Sequence, residues 1–156
     1  MDACYRYITS VVIFKQFFYS NLFCFVQEKI VASCAKYLVI IADHTKNSEY
    51  LTQSYKKIPI EVCPIAYVPV KLKVEGMFGG ELKLRMAIAK AGPCVTDNGN
   101  FILDWILSGQ NSKTDFEHLN RELLMIPGIV DTGLFVGMVK KAYFGMANGT
   151  VLELEN

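Results

Sequence analysis

The spacing of apolar residues changes abruptly near residue 27. Before it, "FFYSNLFCFV" is an aromatic string with neither a helical nor a strand period. After it, Glu28 falls in what would be a first helical turn, where the helix dipole favours an anion. The apolar residues that follow recur at the spacing of one helix face, at Ile30, Val31, Cys34 and Ala35. This pattern predicts a helix that begins at about Gln27.

A continuous apolar run, "YLVIIAD", follows the helix and predicts a strand buried on both faces. Asp43 closes the strand, and "HTKNSEYL" continues as a loop and a helix. Helix, strand and polar loop form half of an α/β unit, in which ligands bind beyond the carboxyl ends of the strands. A candidate site is therefore expected at His44, Thr45 and Lys46. We interpret Asp43 as the cap of this turn, in preference to a partner that orients Lys46.

Residues 58–132 carry a second pattern, in which strands alternate with helices. "IPIEVC", "ELKLRMA", "NFILDWIL" and "IVDTGLFV" are typical of strands, the second of them half exposed. "AYVPVKLKVEGMF" predicts a helix that stops at Gly79-Gly80, and "TDNGN" predicts a turn with positive φ at Asn98-Gly99. With one further helix, the order is β-α-β-β-α-β, the split βαβ arrangement.

That further helix is the clearest one in the sequence. In "TDFEHLNRELLMIPG", Thr114 and Glu117 have the spacing of a capping box, and Pro127-Gly128 ends the pattern. Beyond it, "AYFGMANGTVLEL" predicts a hairpin around Asn148-Gly149. The residues assigned to the core here are the apolar face of the helix and the single tryptophan: Phe116, Leu119, Leu123 and Trp105.

Composition narrows the classes of function. Of 156 residues, 52% are hydrophobic and 20% are charged, and the net charge is +1, which gives no electrostatic case for a nucleic-acid or membrane partner. The five cysteines include no CxxC pair and indicate reduced thiols in a cytoplasmic protein. Cys34, Cys63 and Cys94 lie in apolar settings and are expected to be buried. His44 and His118 are expected at the surface, without the companions that a metal site needs.

Residues 1–26 fit neither a membrane span nor a signal peptide. Lys15 and Gln16 interrupt the apolar run well short of the ~20 residues that cross a bilayer. The segment also lacks a basic start and a small-residue cleavage site. Its abundant Phe, Tyr, Ser, Leu and Cys correspond largely to pyrimidine-rich codons, as at the end of an intron. We hypothesise that residues 1–26 are translated intron sequence and that the authentic coding sequence begins at about Gln27.

Five motifs occur in the order and register of one enzyme family. "QEKIVAS", "VIIADHTK", "IPIEVCPIAYVPV", "VTDNGNFILD" and "IPGIVDTGLF" together resemble the C-terminal part of type A ribose-5-phosphate isomerases, from Gln27 to about Val151. The resemblance implies an α/β fold. It would comprise the remnant of a doubly wound α/β catalytic domain, residues 27–57 and 133–156, and a ferredoxin-like lobe, residues 58–132. Residues 1–26 would be a non-family segment.

The resemblance also implies a function, the interconversion of ribose 5-phosphate and ribulose 5-phosphate through an enediolate in the pentose phosphate pathway. It assigns Glu28 as the catalytic proton shuttle and Lys46 as a substrate-binding residue, with no metal and no organic cofactor. It implies a sugar phosphate as the small-molecule partner and a homo-oligomer, a dimer, as the intact form. Nucleic acid and membrane are not expected as partners, and the expected location is cytoplasmic.

Several motifs of the resembled family have no match in residues 1–26: a phosphate-binding loop of Gly-Thr-Gly-Ser-Thr type, an Asp-Gly-Ala-Asp segment and a Lys-Gly-Gly-Gly run. The alternative to an active isomerase is therefore a catalytically inactive truncated product that associates with full-length subunits. A third interpretation is a small-molecule regulatory module built on the lobe. The missing strands are also expected to leave residues 37–42 as an exposed hydrophobic sheet edge.

Overall fold

A computed structural model describes residues 11–14, 25–47, 56–88, 91–107 and 115–155 of the chain. The fold is mixed α/β and divides into two compact units. The first, the α/β unit, comprises residues 1–48 and 135–156, and the second, the lobe, comprises residues 49–134. In chain order the elements are β1 (Val11–Phe14), α1 (Phe25–Cys34), β2 (Leu38–Asp43), a 3₁₀ turn (His44–Lys46), β3 (Lys57–Val62), a second 3₁₀ turn (Pro64–Ala66), α2 (Tyr67–Phe78), β4 (Glu81–Leu84), β5 (Phe101–Ile106), α3 (Phe116–Leu124), β6 (Ile129–Thr132), β7 (Lys141–Gly145) and β8 (Val151–Glu155).

The α/β unit contains a four-stranded sheet in the order β1-β2-β7-β8. β2 is parallel to both of its neighbours, with Leu38 opposite Val11 and Val39 opposite Lys141. β8 returns antiparallel to β7 as the predicted hairpin, whose turn contains Gly149 at φ 82°. Because α1 lies in the chain between the parallel strands β1 and β2, these three elements form a βαβ unit.

Strand β2 forms where the apolar run predicted it, but two expectations about its surroundings were wrong. It is not an edge strand, because β1 and β7 pair with it on either side. It is also not buried on both faces, since Leu38 is buried whereas Ile41 is 37% exposed. Hydrogen bonding to neighbouring strands covers the sides of a strand, while burial of its faces requires a packed layer above and below the sheet.

Helix α1 begins two residues before the predicted Gln27, at Phe25, and its predicted apolar face was wrong. The buried residues are Phe25 and Ala32, which lie seven positions and therefore about two turns apart on one face. The predicted stripe is exposed instead, at Ile30, Val31 and Cys34. Helical spacing identifies a stripe, but the elements that pack against the helix decide which stripe is buried.

The lobe has the predicted β-α-β-β-α-β order and an antiparallel sheet in the order β4-β5-β3-β6. Helix α2 ends at Gly79, whose φ of 70° suits a residue without Cβ. Trp105 is fully buried, and its indole N–H donates to the carbonyl of Gly79 at 3.0 Å. The remaining side chains with 0% exposure in the hydrophobic core of the lobe are Ile60, Val62, Val74, Leu82, Ile102, Leu103 and Leu123.

Two further expectations need correction. Helix α3 is capped by Asp115, whose Oδ1 accepts a hydrogen bond from the backbone N–H of His118 at 2.9 Å. The expected capping box with Thr114 is therefore wrong, because the carboxylate one residue later takes the capping role. Cys34 is exposed and Cys63 is only half-buried, contrary to expectation, whereas Cys94 is buried as predicted. Thr114 itself and the helix expected after Lys46 lie outside the described residues.

Candidate functional site

The candidate site begins at the carboxyl end of β2, where the strand passes into the 3₁₀ turn His44–Lys46. Asp43 has extended backbone angles, φ −80° and ψ 163°, and its Oδ1 accepts a hydrogen bond from the backbone N–H of Thr45 at 2.9 Å. The same oxygen accepts a hydrogen bond from the Thr45 hydroxyl. The predicted capping role of Asp43 is therefore confirmed.

The Asp43 carboxylate also contacts Lys46, so that capping and orientation occur together. Lys46 Nζ lies 3.5 Å from Asp43 Oδ2 and donates to Thr45 Oγ1 at 3.2 Å. The Lys46 side chain is only 12% exposed, whereas that of Asp43 is 54% exposed. The ammonium group is thus drawn into the turn, and three consecutive polar contacts close a small ring of side chains.

The pKa of Asp43 is lowered below its ordinary value of 3.8. The largest cause is the hydrogen bond from the Thr45 hydroxyl, with smaller contributions in the same direction from the Thr45 backbone N–H and the Lys46 charge. Partial desolvation opposes them. The carboxylate is therefore ionised at neutral pH and presents a negative charge to the Lys46 ammonium.

Glu28 lies in the first turn of α1, as predicted, and its side chain is partly buried. In a βαβ unit the helix runs antiparallel to its strands. The helix therefore begins on the side of the sheet at which the carboxyl ends of the parallel strands lie. Lys46 follows the end of β2 on that same side. The topology therefore places Glu28 and Lys46 at one end of the α/β unit, where ligands bind in open α/β sheets.

Lys29, the residue after Glu28, makes a contact that the sequence pattern does not predict. Lys29 Nζ lies 5.3 Å from the centroid of the Phe135 ring, within the range of a cation–π interaction. Phe135 belongs to the segment "DTGLF" that precedes β7. The second turn of α1 thus contacts a distant part of the chain, although nothing in the local spacing pairs these two residues.

A second polar cluster lies in the lobe, around a carboxylate that the sequence did not single out. Glu61 on β3 is 0% exposed, and its Oε1 accepts hydrogen bonds from Thr96 Oγ1 at 2.9 Å, Asn98 Nδ2 at 3.2 Å and Asn100 Nδ2 at 2.8 Å. Its Oε2 is buried with no hydrogen-bond partner among the described residues. The polar "TDNGN" turn therefore folds its side chains onto an acid within an apolar strand.

Metal ligands do not converge in the part of the chain that the structure describes, since no group of three His, Cys, Asp or Glu residues is suited to hold an ion. His44 and His118 are both exposed, as predicted. None of the described helices is long and apolar enough to cross a membrane.

The fold and the site indicate a class of protein. It is an α/β protein with a ferredoxin-like lobe and with polar and charged candidate residues at the carboxyl ends of its parallel strands. The sequence profile of ribose 5-phosphate isomerase A (phosphoriboisomerase A) matches residues 21–149. The chain belongs to this family. The match covers both units and contains Glu28 and Lys46.

Individual relatives agree with the family match. Ribose-5-phosphate isomerase of Sus scrofa is 53% identical over 129 residues, covering 82% of this chain and 41% of the relative. The Dictyostelium discoideum enzyme is 56% identical over 131 residues, covering 81% and 55%. A D-ribose-5-phosphate isomerase solved in complex with phospho-erythronic acid superimposes with a TM-score of 0.76 at 33% identity, covering 84% of this chain and 55% of that one. The chain thus spans about two-fifths to just over half of the length of these relatives.

Proposed function

We propose that this chain acts in the aldose–ketose isomerisation of ribose 5-phosphate and ribulose 5-phosphate, the reaction of the pentose phosphate pathway for which its relatives are named. The observation that carries the proposal is the family match over residues 21–149, which includes the first turn of α1 and the turn after β2. The identity of 53% to one relative supports the isomerase over an inactive associating product.

Glu28 is proposed as the base. In the reaction a proton leaves C2 of the open-chain aldose, which gives an enediolate over C1 and C2. The hydroxyl proton of O2 moves to O1, and the first proton returns at C1, so that C2 becomes the carbonyl of the ketose. No electrons are lost to a second reactant, because one carbon is reduced as its neighbour is oxidised. A carboxylate that takes the proton and returns it serves both halves of the step. The position of Glu28 at the edge where parallel strands end supports this role.

Lys46 is proposed as a substrate contact. Its ammonium is held by Asp43 and Thr45 in the turn after β2, which leaves a localised positive charge at the same edge of the sheet. A cation there stabilises a phosphate oxygen or a developing enediolate oxygen through a charge-assisted hydrogen bond. Together with the family match, this contact supports a sugar phosphate as the ligand class.

The remaining assignments are extensions of this proposal. Residues 27–57 and 133–156 are proposed as the partial catalytic domain and residues 58–132 as the ferredoxin-like lobe. The family match begins at residue 21, so the proposed non-family segment is limited to residues 1–20. A homodimer is the proposed assembly, and the cytoplasm is the proposed location, supported by five cysteines without a CxxC pair. Sedimentation of the purified chain tests the dimer directly.

The test of the function is the formation of ribulose 5-phosphate from ribose 5-phosphate by the purified chain and by two matched variants. Glu28→Gln removes the proposed base and is expected to lower the rate by about 10²-fold or more. Glu117→Gln removes another first-turn helix glutamate, in the lobe, and is expected to retain the rate. A folded wild-type chain without activity, or an active Glu28→Gln variant, would overturn the proposal.

A further inference from the structure

We propose that Asp43 and Thr45 are positioning residues that fix the Lys46 ammonium for substrate binding. This inference rests on the proposed function, because it concerns the use of Lys46 as a substrate contact. It goes beyond the capping role, since a cap requires only the bond from the Thr45 backbone N–H to Asp43.

The geometry supplies two contacts that a cap does not need. The Thr45 hydroxyl donates to Asp43 Oδ1 and at the same time accepts from Lys46 Nζ at 3.2 Å. Asp43 Oδ2 lies 3.5 Å from the same nitrogen. The hydroxyl thus lies between an anion and a cation, and its proton and its lone pair are both directed by them.

The exposure of the three side chains supports this arrangement. A lysine in a loop normally extends into water, where four rotatable bonds leave its ammonium unplaced. The Lys46 side chain is only 12% exposed although His44 and Asn47 on either side of the turn are exposed. Asp43 and Thr45, both within three residues, contribute to holding the Lys46 ammonium in place, so that less side-chain freedom remains to be lost when a ligand binds.

The mechanism of positioning is electrostatic as well as steric. Thr45 lowers the pKa of Asp43 most strongly, and Lys46 adds to this effect, so the carboxylate stays ionised where the substrate would bind. A negative charge beside Lys46 also offsets part of its attraction for a phosphate. The expected benefit is therefore geometric, and it appears in the affinity for a ligand that contacts Lys46.

The experiment is a double-mutant cycle with phospho-erythronic acid as the probe, the ligand present in one solved relative. Asp43→Asn preserves the cap, because Asn and Asp cap equally well, but it removes the charge that faces Lys46. We expect its affinity to fall roughly three- to tenfold with an unchanged thermal midpoint. Lys46→Met is expected to weaken binding further, and the Asp43→Asn/Lys46→Met double variant should bind no more weakly than Lys46→Met alone.

Three controls sharpen the cycle. Thr45→Val should weaken binding as Asp43→Asn does, and Thr45→Ser, which keeps the hydroxyl, should restore it. Glu81→Gln removes a carboxylate that lies 3.1 Å from Lys83 in an exposed ion pair of the lobe, and it should not change the affinity. Losses for Asp43→Asn and Lys46→Met that multiply in the double variant, or wild-type affinity in Asp43→Asn, would overturn the inference.

A separate readout distinguishes this inference from the proposed function. If the wild-type chain does not bind phospho-erythronic acid, the proposed function fails, and the arrangement of the turn is then tested by NMR titration of the Asp43 carboxyl. Both Thr45→Val and Lys46→Met should raise the pKa of Asp43, the first by more. An unchanged pKa in both variants would contradict the positioning contacts themselves.

Discussion

The two units differ in how they combine burial with candidate chemistry. The lobe encloses a continuous apolar core in which Ile60, Leu82 and Trp105 are fully buried. In the described part of the α/β unit the buried hydrophobic residues are few, namely Phe25, Ala32, Leu38 and Phe144. Large exposed apolar side chains occur in both units, at Ile30 in the α/β unit and at Ile65 in the lobe. Glu28 and Lys46 both belong to this sparsely packed unit. Among the described residues, the buried apolar side chains are therefore concentrated in the lobe, whereas the residues of the proposed chemistry lie in the α/β unit.

This difference explains why stability and activity are expected to respond to different substitutions. Substitutions of fully buried side chains in the lobe remove well-packed contacts on all sides, whereas substitutions of Ile30 or Ile41 in the α/β unit remove side chains that already contact solvent. Substitutions at the turn after β2 alter an ion pair with one exposed partner, which contributes little to folding.

The largest predicted effect compares two isoleucines on central strands. Ile60→Ala in the lobe removes a side chain with 0% exposure and is expected to lower the free energy of unfolding by about 2–5 kcal/mol. Ile41→Ala in the α/β unit removes one that is 37% exposed and should cost about 1 kcal/mol or less. Urea denaturation of both variants measures the difference. Equal losses of unfolding free energy in the two variants would contradict the proposed difference in packing between the units.

A smaller effect is predicted at the buried acid of the lobe. Glu61→Ala leaves Thr96, Asn98 and Asn100 without their shared acceptor and should lower the free energy of unfolding by roughly 2–3 kcal/mol. Glu61→Gln keeps one carbonyl oxygen as that acceptor and should cost less than the alanine variant. The same urea titration compares them, and a glutamine variant as unstable as the alanine variant would show that the donors do not require this oxygen.

The smallest effect is a pH dependence at the surface of the α/β unit. The hydrogen bond with Glu153 raises the pKa of Lys141 above 10.5, and the same bond lowers the pKa of Glu153 below 4.5. The stabilisation of the fold by ionised Glu153 is complete above pH 4.5, and it is lost as the pH falls through the lowered pKa of Glu153. The Lys141 contribution is complete below pH 10.5 and is lost as the pH rises through its raised pKa.

Stabilisation by this pair is therefore predicted between these limits, with losses at both extremes. Glu153→Gln should flatten the acid limb of the stability profile relative to the wild-type chain, measured by thermal denaturation from pH 3 to pH 7. Glu81→Gln, in an exposed ion pair of the lobe, serves as the matched control. An acid limb of the same steepness in Glu153→Gln would contradict the assigned pKa shift.

The sequence predicts the lobe better than the α/β unit for a physical reason. Period and burial agree at Leu82, Trp105 and Leu123, which are fully buried as expected. Phe116 and Leu119, the other members of the predicted helix stripe, are only half-buried. Its turns also contain glycines with the backbone angles that those positions need, such as Gly79 and Gly99 with φ near 70–80°. Local pattern and tertiary packing therefore point to the same structure.

In the α/β unit the sequence predicts the elements but not which of their residues are buried. The spacing of Ile30 and Val31 correctly indicated a helix but not the buried face, because burial depends on the layers that pack against it. Likewise the polar end of β2 indicated a site at Lys46. The contacts of the Lys46 ammonium with Asp43 and Thr45 could not be predicted from the sequence, because they depend on side-chain conformation. The sequence around Glu61 did contain a usable indication. An acidic residue within an apolar strand requires buried hydrogen-bond donors nearby.

The direct test of proton transfer by Glu28 is to isomerise ribose 5-phosphate in D₂O and to follow deuterium at C1 of the ribulose 5-phosphate formed. We expect product and deuterium incorporation with the wild-type chain and with Glu117→Gln. With Glu28→Gln, we expect both to fall by about 10²-fold or more. Undiminished incorporation in the Glu28→Gln variant would contradict the assignment of Glu28 as the base.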